Sequence, residues 1–366
     1  MTPSAIFYCP MKPPDPGRPS GVPRIAQLFV KAMTGAGFAV DAPDLPQTYE
    51  GHGDRSAQRR LQETAIQAAR RYVQDLKVRL DRPEIWLTYH CYYKSPDLIG
   101  PIVADEIGCR YAVAEGSFAR SRAGGPWAAH HDAARAALTR ADFLLAATAR
   151  DREGLMRVAR DPQSVVDFPP FVDTAEFEPK ASRNGESRVR ILAAGSMRDE
   201  RKRQSFDRLF SAVSRLPSRS YSLTIAGDGP MRAEIEASAR AQNADARFVG
   251  QLPPSAMPEF LAHGDLFAWP GVGEAYGLTY LEAQAAGLPV VAEDHGGVSA
   301  CVEDGISGIL TDPNVAGAFA EALRTLVGDA ALRRRLSESA RQWVLAERSL
   351  TAASARMRHL FGEGAA

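Results

Sequence analysis

The chain has 366 residues, 45% of them hydrophobic and 24% charged, and its 44 basic side chains balance its 44 acidic ones. That length suits two α/β domains of similar size, and that balance belongs to a globular chain rather than a disordered or fibrous one. Zero net charge excludes a global field that would draw the chain to nucleic acid, so no nucleic-acid partner is expected and an anionic ligand must meet a local patch.

The opening segment MTPSAIFYCPMKPP lacks the basic and apolar regions of a signal peptide, and no later apolar run approaches transmembrane length. A cytoplasmic location is expected. Cys9, Cys91, Cys109 and Cys301 are scattered without CxxC pairing, which suggests buried, reduced thiols rather than a zinc knuckle or a disulfide framework.

Short β-branched or aromatic runs alternate with longer amphipathic segments, the pattern of parallel-sheet α/β layering. In the first half strands are expected near residues 5–9, 39–41, 85–89, 111–115, 143–147 and 165–168. Between them, residues 59–82 read as a basic helix in which Arg59, Arg60, Arg70, Arg71, Lys77 and Arg79 interleave with Leu61, Ile66, Tyr72, Val73 and Leu76. Such a helix suits peripheral contact with an anionic membrane at its inner face, and equally the commoner role of a core-facing amphipathic helix.

The stretch PPFVDTAEFEPKASRNGESR is rich in Pro and polar residues and reads as a linker. The expected division is an N-terminal Rossmann-like domain over 1–170, a linker over 171–188 and a C-terminal Rossmann-like domain over 189–345. A C-terminal helix at 346–366 is expected to pack back on the first domain. Strands of the second domain are expected near 189–194, 221–226, 246–249, 266–269, 289–292 and 308–311, and residues 329–361 carry a helical pattern broken into two. Ligands of such sheets bind at the carboxyl ends of strands.

The most informative segment is GVGEAYGLTYLEAQAAGLPVV. Gly273 and Gly277 frame Glu274, a helix is expected from Gly277 or Leu278, and Glu282 falls about one turn inside it. A strand-to-helix junction between glycines exposes N–H groups at the positive end of a helix dipole, which suits a diphosphate. A carboxylate beside phosphate normally repels it. Two glutamates make sense here as acceptors from hydroxyls, those of a sugar and a ribose, and the combination points to a nucleotide sugar. The bland alternative, Glu282 on a solvated face and Glu274 capping a turn, is outweighed by the glycine frame and the buried-strand run LPVV.

This segment resembles the Glu-x7-Glu motif of the retaining glycosyltransferases of family 4. The resemblance extends through ILAAGSMRDERKR, LTIAGDGPMR, ARFVGQLPPSAMPEFLAHGDLFAWP and EDHGGVSACVEDGISGILTDP, essentially the whole second domain. It implies the GT-B fold, two facing Rossmann-like domains with a deep interdomain cleft. Glu274 falls on the glutamate that contacts donor-sugar hydroxyls and Glu282 on the one that holds the ribose. Ala275, Tyr276, Gly277, Leu278 and Thr279 fall on the diphosphate-facing turn. Lys202 matches a lysine that contacts donor phosphates. Ser196 stands where the family has an arginine, with Arg198 and Arg201 as substitutes in the same basic loop. Gln251 and Leu252 fall on the segment whose backbone meets the base.

In the first domain the resemblance places Gly21 on a glycine near the donor phosphate and His90 on a cleft histidine. Glu115 stands where many members have a second histidine. Lys94, Arg120 and Arg122 lie in adjoining loops, either facing an anionic acceptor or simply solvated. The implied reaction is transfer with retention, without a metal or other cofactor, from a nucleotide-diphosphate-sugar to a saccharide or lipid-linked acceptor, in work such as cell-envelope polysaccharide or glycolipid synthesis. A donor phosphate oxygen would take the acceptor proton, and Lys202 would stabilise the departing diphosphate. Two other readings remain: an epimerase or hydrolase on the same frame, and an idle nucleotide-sugar-binding protein.

Overall fold

The computed structural model describes residues 2–11, 21–178 and 188–362. The chain forms two compact units, Met1–Pro169 with Ala353–Ala366, and Pro170–Ala352.

The first unit runs β1 (Ser4–Tyr8), α1 (Gly21–Gly35), β2 (Ala39–Asp41), α2 (Arg55–Lys77), β3 (Pro83–Tyr89), α3 (Gly100–Ile107), β4 (Arg110–Ala114), α4 (Ala128–Arg140), β5 (Phe143–Ala146), α5 (Ala149–Met156) and β6 (Val165–Asp167). Its six strands form one sheet in the order β2-β1-β3-β4-β5-β6, and every pairing is parallel. The central strands are buried on both faces and largely apolar: from Ile85 to Tyr89 every residue of β3 is buried, Thr88 and the Tyr89 hydroxyl among them being polar.

The second unit runs β7 (Val189–Ala194), α6 (Glu200–Val213), β8 (Tyr221–Ala226), α7 (Arg232–Ala241), β9 (Ala246–Phe248), α8 (Met257–Ala262), β10 (Leu266–Ala268), α9 (Leu278–Ala285), β11 (Val290–Glu293), β12 (Gly308–Thr311), α10 (Ala318–Gly328) and α11 (Ala330–Trp343). Its sheet has the order β12-β11-β10-β7-β8-β9, again parallel. A π-helical stretch at Val344–Arg348 leads to α12 (Leu350–Phe361), whose residues from Ala353 onward belong to the first unit. There Arg358 Nη2 donates to the Gly35 carbonyl at 2.6 Å and Arg110 Nη2 donates to the Phe361 carbonyl at 2.7 Å.

All twelve expected strands are present, their ends shifted by two residues at most. One helix is displaced from expectation. The basic helix α2 begins at Arg55 and stops at Lys77, four and five residues ahead of the 59–82 pattern, and Val78 and Leu80 beyond it are exposed. Its apolar positions face inward, with Tyr72, Val73 and Leu76 in the core. The polar stretch at 179–187 inside the expected linker lies outside the described residues. Before it, Phe171, Val172 and Phe177 are buried, and Val172 exchanges backbone hydrogen bonds with Arg348 and Leu350.

All four cysteines are buried and unbridged. Burial pushes the thiols of Cys9 and Cys91 up to about 12, which keeps them unreactive.

Candidate active site

In the second unit the chain leaves β10 at Ala268, turns through residues 269–277 and enters α9 at Leu278. Gly277 is the N-cap in the left-handed conformation, φ 83°, where a Cβ would lie 2.7 Å from the Tyr280 ring. No side chain caps the helix, and in its first turn the Tyr280 N–H is taken by the Gly277 carbonyl at 3.1 Å, which leaves the N–H groups before it without a side-chain partner, the arrangement that suits an anion.

Glu274 sits in this turn, its side chain 19% exposed. Its Oε1 accepts from the Lys202 ammonium and, at 3.1 Å, from the indole Nε1 of Trp269. The same ammonium lies 5.8 Å from the Trp269 ring centroid. Lys202 comes from the opposite side of the sheet centre, out of β7. Here the structure corrects the basic loop read from the sequence: Arg201 and Lys202 are in the first turn of α6, and only Arg198 lies in the loop. Asp199 is the reason, since its carboxylate N-caps α6 by accepting from the Lys202 backbone N–H at 3.1 Å.

Arg201 is exposed and its side chain lies against Gly273. Arg198 is exposed and donates to the half-buried Ser196 hydroxyl at 3.0 Å. Ala275 is exposed, Tyr276 is buried, and Leu278 and Thr279 are half-buried. Glu282, one turn into α9, is 3% exposed. It is therefore held within the fold rather than on a solvated helix face. Gln251 is exposed and Leu252 half-buried in the loop after β9.

That loop and its neighbours interlock through backbone. Gly195 N–H donates to Ala226 at 3.0 Å, Gly227 N–H to Gly250 at 2.8 Å, and Met197 N–H to Asp228 at 2.9 Å. A Cβ on Gly227 would lie 2.0 Å from the Gly195 carbonyl oxygen, which explains the AGDGP turn as a packing device and not a nucleotide fingerprint.

Two residues around Glu274 were not singled out in the sequence. Trp269 holds the carboxylate, and Tyr280 holds Trp269 by donating its hydroxyl to the Trp269 carbonyl at 3.0 Å. Burial, with Glu274 nearby, drives the Tyr280 phenol far above its ordinary range, so it remains a donor. An aromatic closing a strand at its carboxyl end, as in FAWP, was the available signal for Trp269.

In the first unit His90 follows β3 and Glu115 follows β4, on adjacent strands. Both adopt positive φ, 69° and 52°, which non-glycine residues rarely do and which marks strain typical of functional positions. Tyr89 donates its hydroxyl to Glu115 Oε2 at 3.1 Å, and His90 Nδ1 lies 3.6 Å from the same oxygen. Burial, reinforced by Glu115, holds the Tyr89 phenol well above its usual value. Lys94 donates to the Gly51 carbonyl at 3.3 Å. Arg120 is exposed in a short turn, and Gly21 is the first residue of α1. Among the described residues no cluster of three His, Cys, Asp or Glu side chains is placed to hold a metal ion, and no helix is long and apolar enough to cross a membrane.

Residues 175–343 match the family model described as Glycosyl transferases group 1. The chain is similar to an alpha-D-kanosaminyltransferase of Streptomyces kanamyceticus, 28% identical over 65% of this chain and 63% of that one. It is also similar to a D-inositol 3-phosphate glycosyltransferase of Salinispora arenicola, 32% identical over 55% of this chain and 50% of that one. It thus spans less than two thirds of these curated relatives. Among solved structures, a sucrose-phosphate synthase from Thermosynechococcus elongatus superposes with a TM-score of 0.70 at 21% identity, covering 99% of this chain and 98% of that one. Anabaena HepE in complex with UDP superposes with a TM-score of 0.71 at 14% identity, covering 97% and 98%. The fold is that of the GT-B glycosyltransferases, two Rossmann-like domains.

Proposed function

We propose that this chain is a glycosyltransferase that moves a sugar from a nucleotide-diphosphate-sugar to a hydroxyl acceptor, with retention and without a metal. The observation that supports it most is the convergence of Lys202, Glu274 and Trp269 beside the uncapped start of α9. A cation, a hydroxyl acceptor and free backbone donors are what a diphosphate-sugar requires together. Similarity to the group 1 family model over the same segment points the same way, as does the UDP complex of a structural neighbour.

In this reading Lys202, with Arg198 and Arg201, balances the diphosphate as the glycosidic bond breaks, and the first turn of α9 adds the helix dipole. Glu274 orients the sugar through its hydroxyls and need not transfer a proton. Glu282 holds the ribose. His90 and Glu115 are the candidates for contacting the acceptor, and a donor phosphate oxygen takes the acceptor proton on the face from which the diphosphate departs. The names of the relatives differ in both sugar and acceptor, so the base, sugar and acceptor are assigned by experiment. Peripheral membrane contact through α2 is tested by co-sedimentation with anionic liposomes.

Calorimetry with UDP-, GDP- and ADP-sugars, followed by product analysis, tests the proposal. Transfer to an acceptor with an unchanged anomeric configuration in the presence of EDTA is expected. Conversion of the donor without an acceptor would favour an epimerase or hydrolase, and binding without turnover an idle binding protein.

A further inference from the structure

The loops after β3 and β4 carry, beside His90 and Glu115, a group of aromatic rings and cations that the donor chemistry does not use. From His90 the rings meet edge to face in series: Tyr92 at 5.1 Å, Tyr93 at 5.4 Å beyond it, and Trp127 at 5.6 Å beyond that. Two cations lie on these rings. The Arg122 guanidinium is 5.2 Å from the Tyr93 centroid and 5.9 Å from that of Trp127, and the Lys94 ammonium is 5.1 Å from Trp127.

Neither cation forms an ion pair with a carboxylate among the described residues. The nearby acids are engaged elsewhere. Glu50 accepts from the backbone N–H groups of His52, Gly53 and Asp54, and Glu115 accepts from Tyr89. Lys94 spends one proton on the Gly51 carbonyl, and among the described residues the exposed Arg122 guanidinium donates to no protein acceptor. Ring stacking fixes the plane of an arginine and leaves its in-plane donors open, so less side-chain freedom is lost when an anion binds.

We propose that Arg122 and Lys94, set on Trp127 and Tyr93, bind an anionic group on the acceptor, so that its class is a saccharide carrying a phosphoryl or carboxylate substituent. The word acceptor rests on the transferase reading; the anion site does not. An acceptor hydroxyl would lie at His90 and Glu115 while its charged substituent reaches the stacked cations.

Glucose, glucose 6-phosphate and glucuronate are titrated separately into the full chain by calorimetry and nuclear magnetic resonance, with UDP titrated as an independent report on the donor site. The charged probes are expected to bind at least about tenfold more tightly than glucose, the margin of one hydrogen-bonded charge. A preference for the phosphate or for the carboxylate alone would support the site and name its anion. Arg122→Gln and Lys94→Gln should each narrow the preference with an unchanged melting temperature, and Arg122→Lys should restore only part of it. Equal binding of the three probes, or an undiminished preference in both glutamine variants, would overturn the proposal. If UDP fails to bind while the charge preference survives, the donor reading falls and the anion site stands.

Discussion

Lys202 and Glu274 lie 72 residues apart in the chain and in direct contact in the fold, with Trp269 donating to the same carboxylate oxygen. Each side chain is less than one-fifth exposed. The pair balances one charge against another, so under the proposed function a diphosphate would draw on Arg198, Arg201 and the α9 terminus as well as on Lys202. The contact also orients both groups before any ligand arrives, which lowers the reorganisation needed in the transition state.

Removing either partner should therefore cost more than its own contact. Glu274→Ala and Lys202→Ala are each expected to lower kcat by about 10²–10³-fold, the scale of losing a preorganised electrostatic group. The double variant should lose less than the product of the two, because the partners act as one unit. Steady-state kinetics on the three proteins, with circular dichroism as the folding control, checks this; near wild-type transfer by both single variants would remove the site assignment.

Tyr280→Phe deletes one oxygen and leaves the Trp269 carbonyl without its buried donor. The expected destabilisation is about 1–2 kcal/mol, or a fall of about 2–8 °C in Tm. Because Trp269 carries Glu274, affinity for the sugar donor should fall further than affinity for the bare nucleoside diphosphate. Calorimetric titration of both ligands separates this from a general loss of stability.

Gly227→Ala tests the interlocked loops after β7, β8 and β9. Its Cβ would sit 2.0 Å from a backbone oxygen at φ 144°, so backbone must move. The cost should exceed about 2 kcal/mol, read as a lowered unfolding midpoint in urea. An unchanged midpoint would show that the β7 and β8 loops are not packed as described.

His130 on α4 is 1% exposed, and desolvation holds its imidazole below the ordinary value of 6.5, against smaller opposing effects of the Gln58 backbone and of Glu50. The unfolded chain then takes up a proton that the folded chain refuses. Stability is complete above pH 6.5 and is lost as pH falls from there through the lower folded value. Melting temperatures between about pH 7 and 5 should decline more steeply for the native chain than for His130→Leu. Equal slopes would remove His130 as the source.

Much of the fold was legible in the sequence because its signals are local. Buried parallel strands are short apolar runs, and all twelve were visible as such. The turn holding Glu274 was visible because glycine at 277 and the helix after it are properties of neighbouring residues. The premature end of α2 was not: the basic and apolar pattern continues past Lys77, whereas the chain there turns toward β3 and leaves Leu80 fully exposed. Asp199 capping α6 likewise moved Arg201 and Lys202 from loop to helix.

By itself, the sequence determined the α/β layering and the glycine-framed turn that sets Glu274 before α9 and Glu282 within it, since both follow from side-chain type and spacing within a few residues. The tertiary structure decided which groups meet. That Lys202 pairs with Glu274, that Trp269 and Tyr280 carry the pair, and that Arg122 and Lys94 rest on Trp127 are contacts between segments that only the packing of separate strands and helices brings together. The left-handed backbone at His90 and Glu115 belongs with them, because no side chain advertises a strained conformation that the surrounding sheet imposes.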